Sequence, residues 1–175
     1  MNELERKEVW TGAHRDIRFE IVRWSMGWNY YLIIQREQLP DELQSKFNLP
    51  MQAHKLGEDS PIRYSAEYES GLISSDLERH GGITYYEKQR NEIGKIISFK
   101  LGCDYMHSWD MHQHYTMESV LDDVKQSIDK LWELIPNMKV RCAYNGAYYP
   151  IEETFLTDKG VRVAYVNKEK WFKPI

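Results

Sequence analysis

The run LGCDYMHSWDMHQHYT, residues 101–116, places two aspartates and three histidines between Asp104 and His114. Asp104, His107, Asp110, His112 and His114 all fall within it. Upstream, His80-Gly81-Gly82-Ile83-Thr84-Tyr85-Tyr86 adds an imidazole, a hydroxyl, two phenols and two adjacent glycines. A Gly-Gly pair lets backbone N–H groups turn toward an anion, with no side chain to block close approach. Imidazole and carboxylate together can orient and charge one another, and two imidazoles with two carboxylates are ligand types that suit Zn²⁺ or Mn²⁺.

For these groups to act together, two strands must carry them. HGGITYYEK and GKIISFKLGCD read as strands around the polar turn KQRNEIG. A turn centred near Asn91 pairs residues whose numbers sum to roughly 182, which sets His80 opposite Gly102 and close to Asp104. His107 and Asp110 follow in the connection to a helix. On this reading His80, Asp104, His107 and Asp110 converge at the open end of one hairpin.

Those residues carry a resemblance. His80-Gly81-Gly82-Ile83-Thr84-Tyr85, then Gly102-Cys103-Asp104 with His107 and Asp110, then an amphipathic helix from Thr116, is similar to an uncharacterised family of small tailed-bacteriophage proteins. That family has a His-Gly-Gly-x-Thr-aromatic segment followed by Gly-x-Asp-x-x-His-x-x-Asp and a helix. The likeness spans about residues 80 to 135. It implies a phage or prophage origin, a host-cytosol setting, and a site built from these residues, but it implies no reaction.

Two functions follow from the cluster. One is a phage-type binding protein acting against host defence, with a host defence protein or a small phosphate-bearing, nucleotide-like ligand as its partner. In a pocket of His80, Gly81, Gly82, Thr84, Tyr86, Asp104, His107 and Asp110, the Gly81-Gly82 amides and a protonated His80 would hold phosphate, and Tyr86 and its neighbours would stack on a base. Asp104 would orient His80 or accept a ribose hydroxyl, while Asp110 repels phosphate unless it faces away; this reading needs no cofactor. The other is a metal-dependent hydrolase in which His80, Asp104, His107 and Asp110 hold Zn or Mn and activate water. Whether any reaction is catalysed stays open. His114-Tyr115-Thr116 matches one H-x-T element of two-histidine phosphoesterases, but no second histidine is followed by x-Thr or x-Ser, so that chemistry is excluded. No H-E-x-x-H, paired C-x-x-C, Walker loop or dinucleotide fingerprint occurs. His14 and His54 have no partner in sequence and read as surface or structural residues.

Composition bounds these options. At 175 residues the chain reads as a single domain over 1–175, with a small C-terminal β meander over 138–175 as a candidate appendage. A net charge of −4 argues against general nucleic-acid binding. No apolar run approaches the roughly 20 residues of a membrane span. The polar start MNELERKEVW is no secretory signal, and two cysteines far apart, Cys103 and Cys142, read as buried reduced thiols. A cytoplasmic protein is expected, with a homo-oligomer left open.

The remaining elements complete an α+β fold: antiparallel β hairpins and a meander packed on one long amphipathic helix, about 116–135. IRFEIVRW and WNYYLIIQ form a hairpin across Ser25-Met26-Gly27. LPDELQSKFNLP reads as a short helix, and residues 51 to 79 as a long loop whose Tyr64 and Tyr68 suit either a lid or simple surface attachment. Met117, Val120, Leu121, Val124, Ile128, Leu131, Trp132 and Ile135 recur at helical spacing, with Thr116 as N-cap and Pro136 as the stop. KVRCAY and AYYPIE flank Asn145-Gly146, a strong hairpin signal, and Asp158-Lys159-Gly160 turns the chain into VRVAYV.

Overall fold

The computed structural model describes residues 7–25, 27–41, 85–105, 110, 113–135, 137–167 and 170–171. Its centre is a five-stranded antiparallel sheet in the order β1-β2-β3-β5-β4. The strands are β1 (Glu8–His14), β2 (Ile17–Trp24), β3 (Gly27–Gln35), β4 (Tyr85–Arg90) and β5 (Ile96–Asp104). One long helix, α1 (Met117–Leu134), crosses β2 and β3. The α+β architecture expected from the pattern is therefore the architecture of the protein.

Alternation decides which side is core. In β2 the odd residues Ile17, Phe19 and Ile21 are buried, and in β3 the even residues Trp28, Tyr30, Leu32 and Ile34. They share one face and one cluster with Phe99, Leu101 and Cys103 of β5. Val120, Val124, Ile128 and Leu131, spaced at three and four, give α1 the matching stripe. The cap is as expected but with a serine variation. Thr116 Oγ1 accepts from the Ser119 N–H at 3.2 Å, while Ser119 Oγ accepts from the Thr116 N–H at 2.9 Å. At 18 residues the helix is about 27 Å long.

β1 is an element the sequence reading missed. Its first three residues, Glu8–Trp10, end the polar start MNELERKEVW and the rest carries no strand signal, yet EVWTGAH pairs with β2 over seven residues from Glu8↔Arg23 to His14↔Ile17. The two-residue turn between them, Arg15 and Asp16, has φ of 47° and 64°, a costly conformation for side chains larger than glycine. Its neighbours hold it there. The Trp132 indole N–H donates to the Arg15 carbonyl at 2.9 Å, and the Gln38 amide donates to the Asp16 carbonyl at 2.9 Å. Arg162 donates to the Asp16 carboxylate at 3.1 Å. His14, which had no visible partner in sequence, lies 2.9 Å from Asp129 of α1, and Arg15 donates to the same carboxylate at 3.1 Å.

The C-terminal strands follow the expected turns. β6 (Lys139–Arg141) pairs with β7 (Tyr148–Pro150) around Asn145-Gly146. β8 (Thr154–Leu156) pairs with β9 (Arg162–Asn167) around Asp158-Gly160, and β10 (Lys170–Trp171) adds to β9. Met138 and Val140 belong to the same core as the large sheet. Cys103 and Cys142 are buried and form no disulfide. No helix among the described residues is long and apolar enough to cross a membrane. Of the short helix expected after Pro40, only Asp41 is described, and the loop carrying His54, Tyr64 and Tyr68 lies outside the described residues.

Candidate functional site

The hairpin that was to assemble the site exists, but in another register. Tyr85 pairs with Gly102 and Tyr86 with Leu101, so paired numbers sum to 187 rather than the expected value near 182. Loop chemistry and a strand irregularity together explain the shift. Asn91 Oδ1 accepts from the N–H groups of Ile93 and Lys95, at 3.2 and 2.9 Å, and Gly94 takes the left-handed conformation with φ 82°. The loop closed by Arg90↔Ile96 therefore centres on Ile93, and the register shift between Gln89 and Arg90 adds the last step to 187. Gly102 faces Tyr85, not His80.

Because the shift is odd, it also changes which residues share a face. The β4 tyrosine on the side of Asp104 is Tyr85, whereas Tyr86 pairs with Leu101. Asp104 closes β5 opposite Asn29 of β3. It lies on the sheet face away from α1, with Lys100 and Gly102, and across the strands with Tyr31, Glu20 and Glu87.

That outer face is organised around the Tyr31 ring. A Cβ on Gly102 would meet Tyr31 Cδ1 at 2.5 Å and Tyr85 Cβ at 3.0 Å, so only glycine lets the ring lie across β5. Tyr85 stands edge-on to Tyr31 at 5.3 Å and 77°. Lys100 crosses above the ring, 4.5 Å from its centre, and donates to Glu20 Oε2 at 2.8 Å. The Tyr85 hydroxyl donates to Glu87 Oε2 at 2.5 Å. That hydrogen bond, with burial behind it, pushes the Tyr85 phenol up to about 12. Burial raises Tyr31 too; Lys100 opposes the rise, Glu20 and Asp104 reinforce it, and Asn29 opposes it more weakly. Asn29 Oδ1 is buried with no hydrogen-bond partner among the described residues. These groups form an aromatic platform edged by carboxylates, with its one lysine neutralised by Glu20.

Asp110 belongs elsewhere. Its side chain is buried, 6% exposed, and accepts from the Tyr115 hydroxyl at 2.5 Å. The Tyr115 ring stands edge-on to Tyr105 at 4.7 Å, and the Tyr105 hydroxyl donates to Asp123 Oδ2 at 2.5 Å. Tyr105 in turn packs edge-on to Tyr30, whose hydroxyl shares a 2.8 Å hydrogen bond with Ser127. Burial first, and the carboxylate acceptors second, hold the Tyr105 and Tyr115 phenols well above the usual tyrosine range, so both remain donors. This chain ties the end of β5 to the first half of α1 on the helix side of the sheet.

Asp104 and Asp110 thus lie on opposite sides of the sheet and do not share one mouth. Among the described residues no group of three or more His, Cys, Asp or Glu is placed to hold a metal. His80, Gly81, Gly82, Thr84 and His107 lie outside the described residues, as does His112, while His114 is exposed just before the helix. Tyr31, Glu20, Lys100 and Gly102 were not anticipated as site residues. The available signal was Gly102, a glycine inside an otherwise unbroken strand, which marks close approach by another group. No protein-family model, curated protein or solved structure matches the chain.

Proposed function

We propose that this is a binding protein for a small phosphate-bearing, nucleotide-like ligand, of the phage counter-defence kind, which sequesters that ligand without transforming it. One observation carries the reading: the Tyr31–Tyr85 pair laid over Gly102 beside Asp104. With Lys100 already over the Tyr31 ring, the Tyr85 ring is the aromatic surface offered to a base, and the carboxylate acceptors of this face suit its sugar hydroxyls. The face itself is acidic on balance: among the described residues it carries the carboxylates of Glu20, Glu87 and Asp104 against the cations Arg18 and Lys100, the latter paired with Glu20. Phosphate must therefore be held by other groups, and His80, the Gly81-Gly82 amides and Thr84 enter β4 immediately before Tyr85 in sequence. The host defence signal or protein that such sequestration would blunt is the expected partner.

The test is titration calorimetry of the untagged chain against mono-, di- and cyclic nucleotides. We expect one of them to bind, and His80→Ala and Asp104→Asn each to weaken binding at least tenfold, about 1.4 kcal/mol, at an unchanged thermal midpoint. A parent chain that binds none of them up to millimolar concentration overturns the reading. Stoichiometric metal in the untagged protein, lost in Asp104→Asn, would instead favour the hydrolase.

A further inference from the structure

We propose that two copies of this chain join edge to edge through β1, making one continuous ten-stranded sheet. The inference is independent of the ligand reading above. It starts from the two edges of the sheet, β1 and β4, which are built differently.

β4 is protected as edges usually are. It carries Glu87, Lys88 and Arg90, and its register shifts between Gln89 and Arg90. β1 is less protected, with Glu8 at its first position as its only carboxylate. EVWTGAH contains no lysine or proline, and its seven pairs with β2 run without a shift. Among the described residues no strand pairs with its outer side. The turn geometry says which groups are left over. A two-residue turn makes His14 and Ile17 a hydrogen-bonded pair, so Gly12, Trp10 and Glu8 spend their backbone groups on β2. Val9, Thr11 and Ala13 then direct theirs outward.

The occupant that fits this edge is a second β1. An antiparallel pairing about a two-fold axis at Thr11 uses the whole strand and sets outward groups against outward groups. Thr11 meets Thr11, and Val9, 49% exposed in the single chain, meets Ala13. The intervening positions form the closer, non-hydrogen-bonded pairs. There Glu8 faces His14, opposite in charge once the imidazole is protonated. Trp10 faces Gly12, the largest side chain against the smallest. Gly12 has no room for a larger residue, since a Cβ there would lie 2.6 Å from the Phe19 ring. Charge and size are therefore self-complementary in this one register, as a two-fold interface requires.

Sedimentation equilibrium on the full chain tests it, with Thr11→Lys and Thr11→Asp. Each variant sets like charges opposite each other on the axis. The parent is expected at twice the chain mass, each variant alone at the monomer mass with the parent's circular dichroism, and their equal mixture again at twice the mass. Amide exchange on the parent needs no variant: protection at Val9, Thr11 and Ala13 should rise with protein concentration. A monomeric parent overturns the proposal, including one whose edge instead accepts a strand of another protein. So does a Thr11→Lys dimer as tight as the parent, which would place the interface elsewhere. Protection at those amides that is independent of concentration also overturns it, because the chain would then cover its own edge.

Discussion

Tyr105→Phe probes the buried phenol–carboxylate chain with the least disturbance of shape. The ring keeps its edge contacts to Tyr30 at 6.2 Å and Tyr115 at 4.7 Å, so packing is retained while the 2.5 Å hydrogen bond to Asp123 is lost. A hydrogen bond to a charged group contributes roughly 1.5–3 kcal/mol, and Asp123 is half-buried, so water can replace the phenol in part. The expected loss is therefore at the lower end, about 1.5 kcal/mol, or roughly 3–6 °C in midpoint for a chain of this size. Asp123→Ala should cost about as much, since it strands a buried hydroxyl, and the double variant should lose little more than either alone. Urea denaturation followed by tryptophan fluorescence measures all four proteins, and equal slopes show that the comparison concerns stability alone. A Tyr105→Phe protein within about 0.3 kcal/mol of the parent refutes the reasoning, because the hydrogen bond would then contribute nothing net.

Val124, 0% exposed in the middle of the α1 stripe, tests the helix face: Val124→Asp should cost at least about 4 kcal/mol through lost apolar burial and an unpaired buried charge. Lys125→Ala on the exposed face should stay within about 0.5 kcal/mol of the parent in the same urea titration. Alkaline pH should also unfold the protein early. Burial raises Tyr30, Tyr31, Tyr105 and Tyr115, and the hydrogen bond to Glu87 raises Tyr85 to about 12. The fold thus favours the neutral phenol, a contribution intact below the unfolded tyrosine value of about 10 and lost as pH rises through the folded-state values. Urea midpoints should be level between about pH 8 and 9.5 and fall beyond that, whereas a midpoint unchanged to about pH 11 would contradict the buried-phenol assignment.

What the residues determine locally could be read without coordinates. The period-three-and-four stripe from Met117 to Ile135 has one compatible geometry, and α1 runs from Met117 to Leu134. The alternation of IRFEIVRW, the Asn145-Gly146 hairpin and the Asp158–Gly160 turn were legible for the same reason, since each signal lies within a few neighbouring residues. The α+β class follows from these pieces together. What stayed hidden depends on distant partners. The beginning of EVWTGAH falls in the polar start MNELERKEVW and its remainder shows no pattern, because an edge strand buries little of its own surface, and only pairing with β2 identifies it. His14 gains its carboxylate 115 residues away on α1. The β4–β5 register turned on how Asn91 and Gly94 close a loop and on the shift between Gln89 and Arg90 beyond it, matters of a few hydrogen bonds that composition does not rank. With that register, tertiary structure set Asp104 beside Tyr31 and Tyr85 on the outer face and turned Asp110 toward Tyr115 on the inner one. Two aspartates six residues apart looked like one site because sequence distance carries no information about which side of a sheet a chain leaves from, and the pleat decides that one residue at a time.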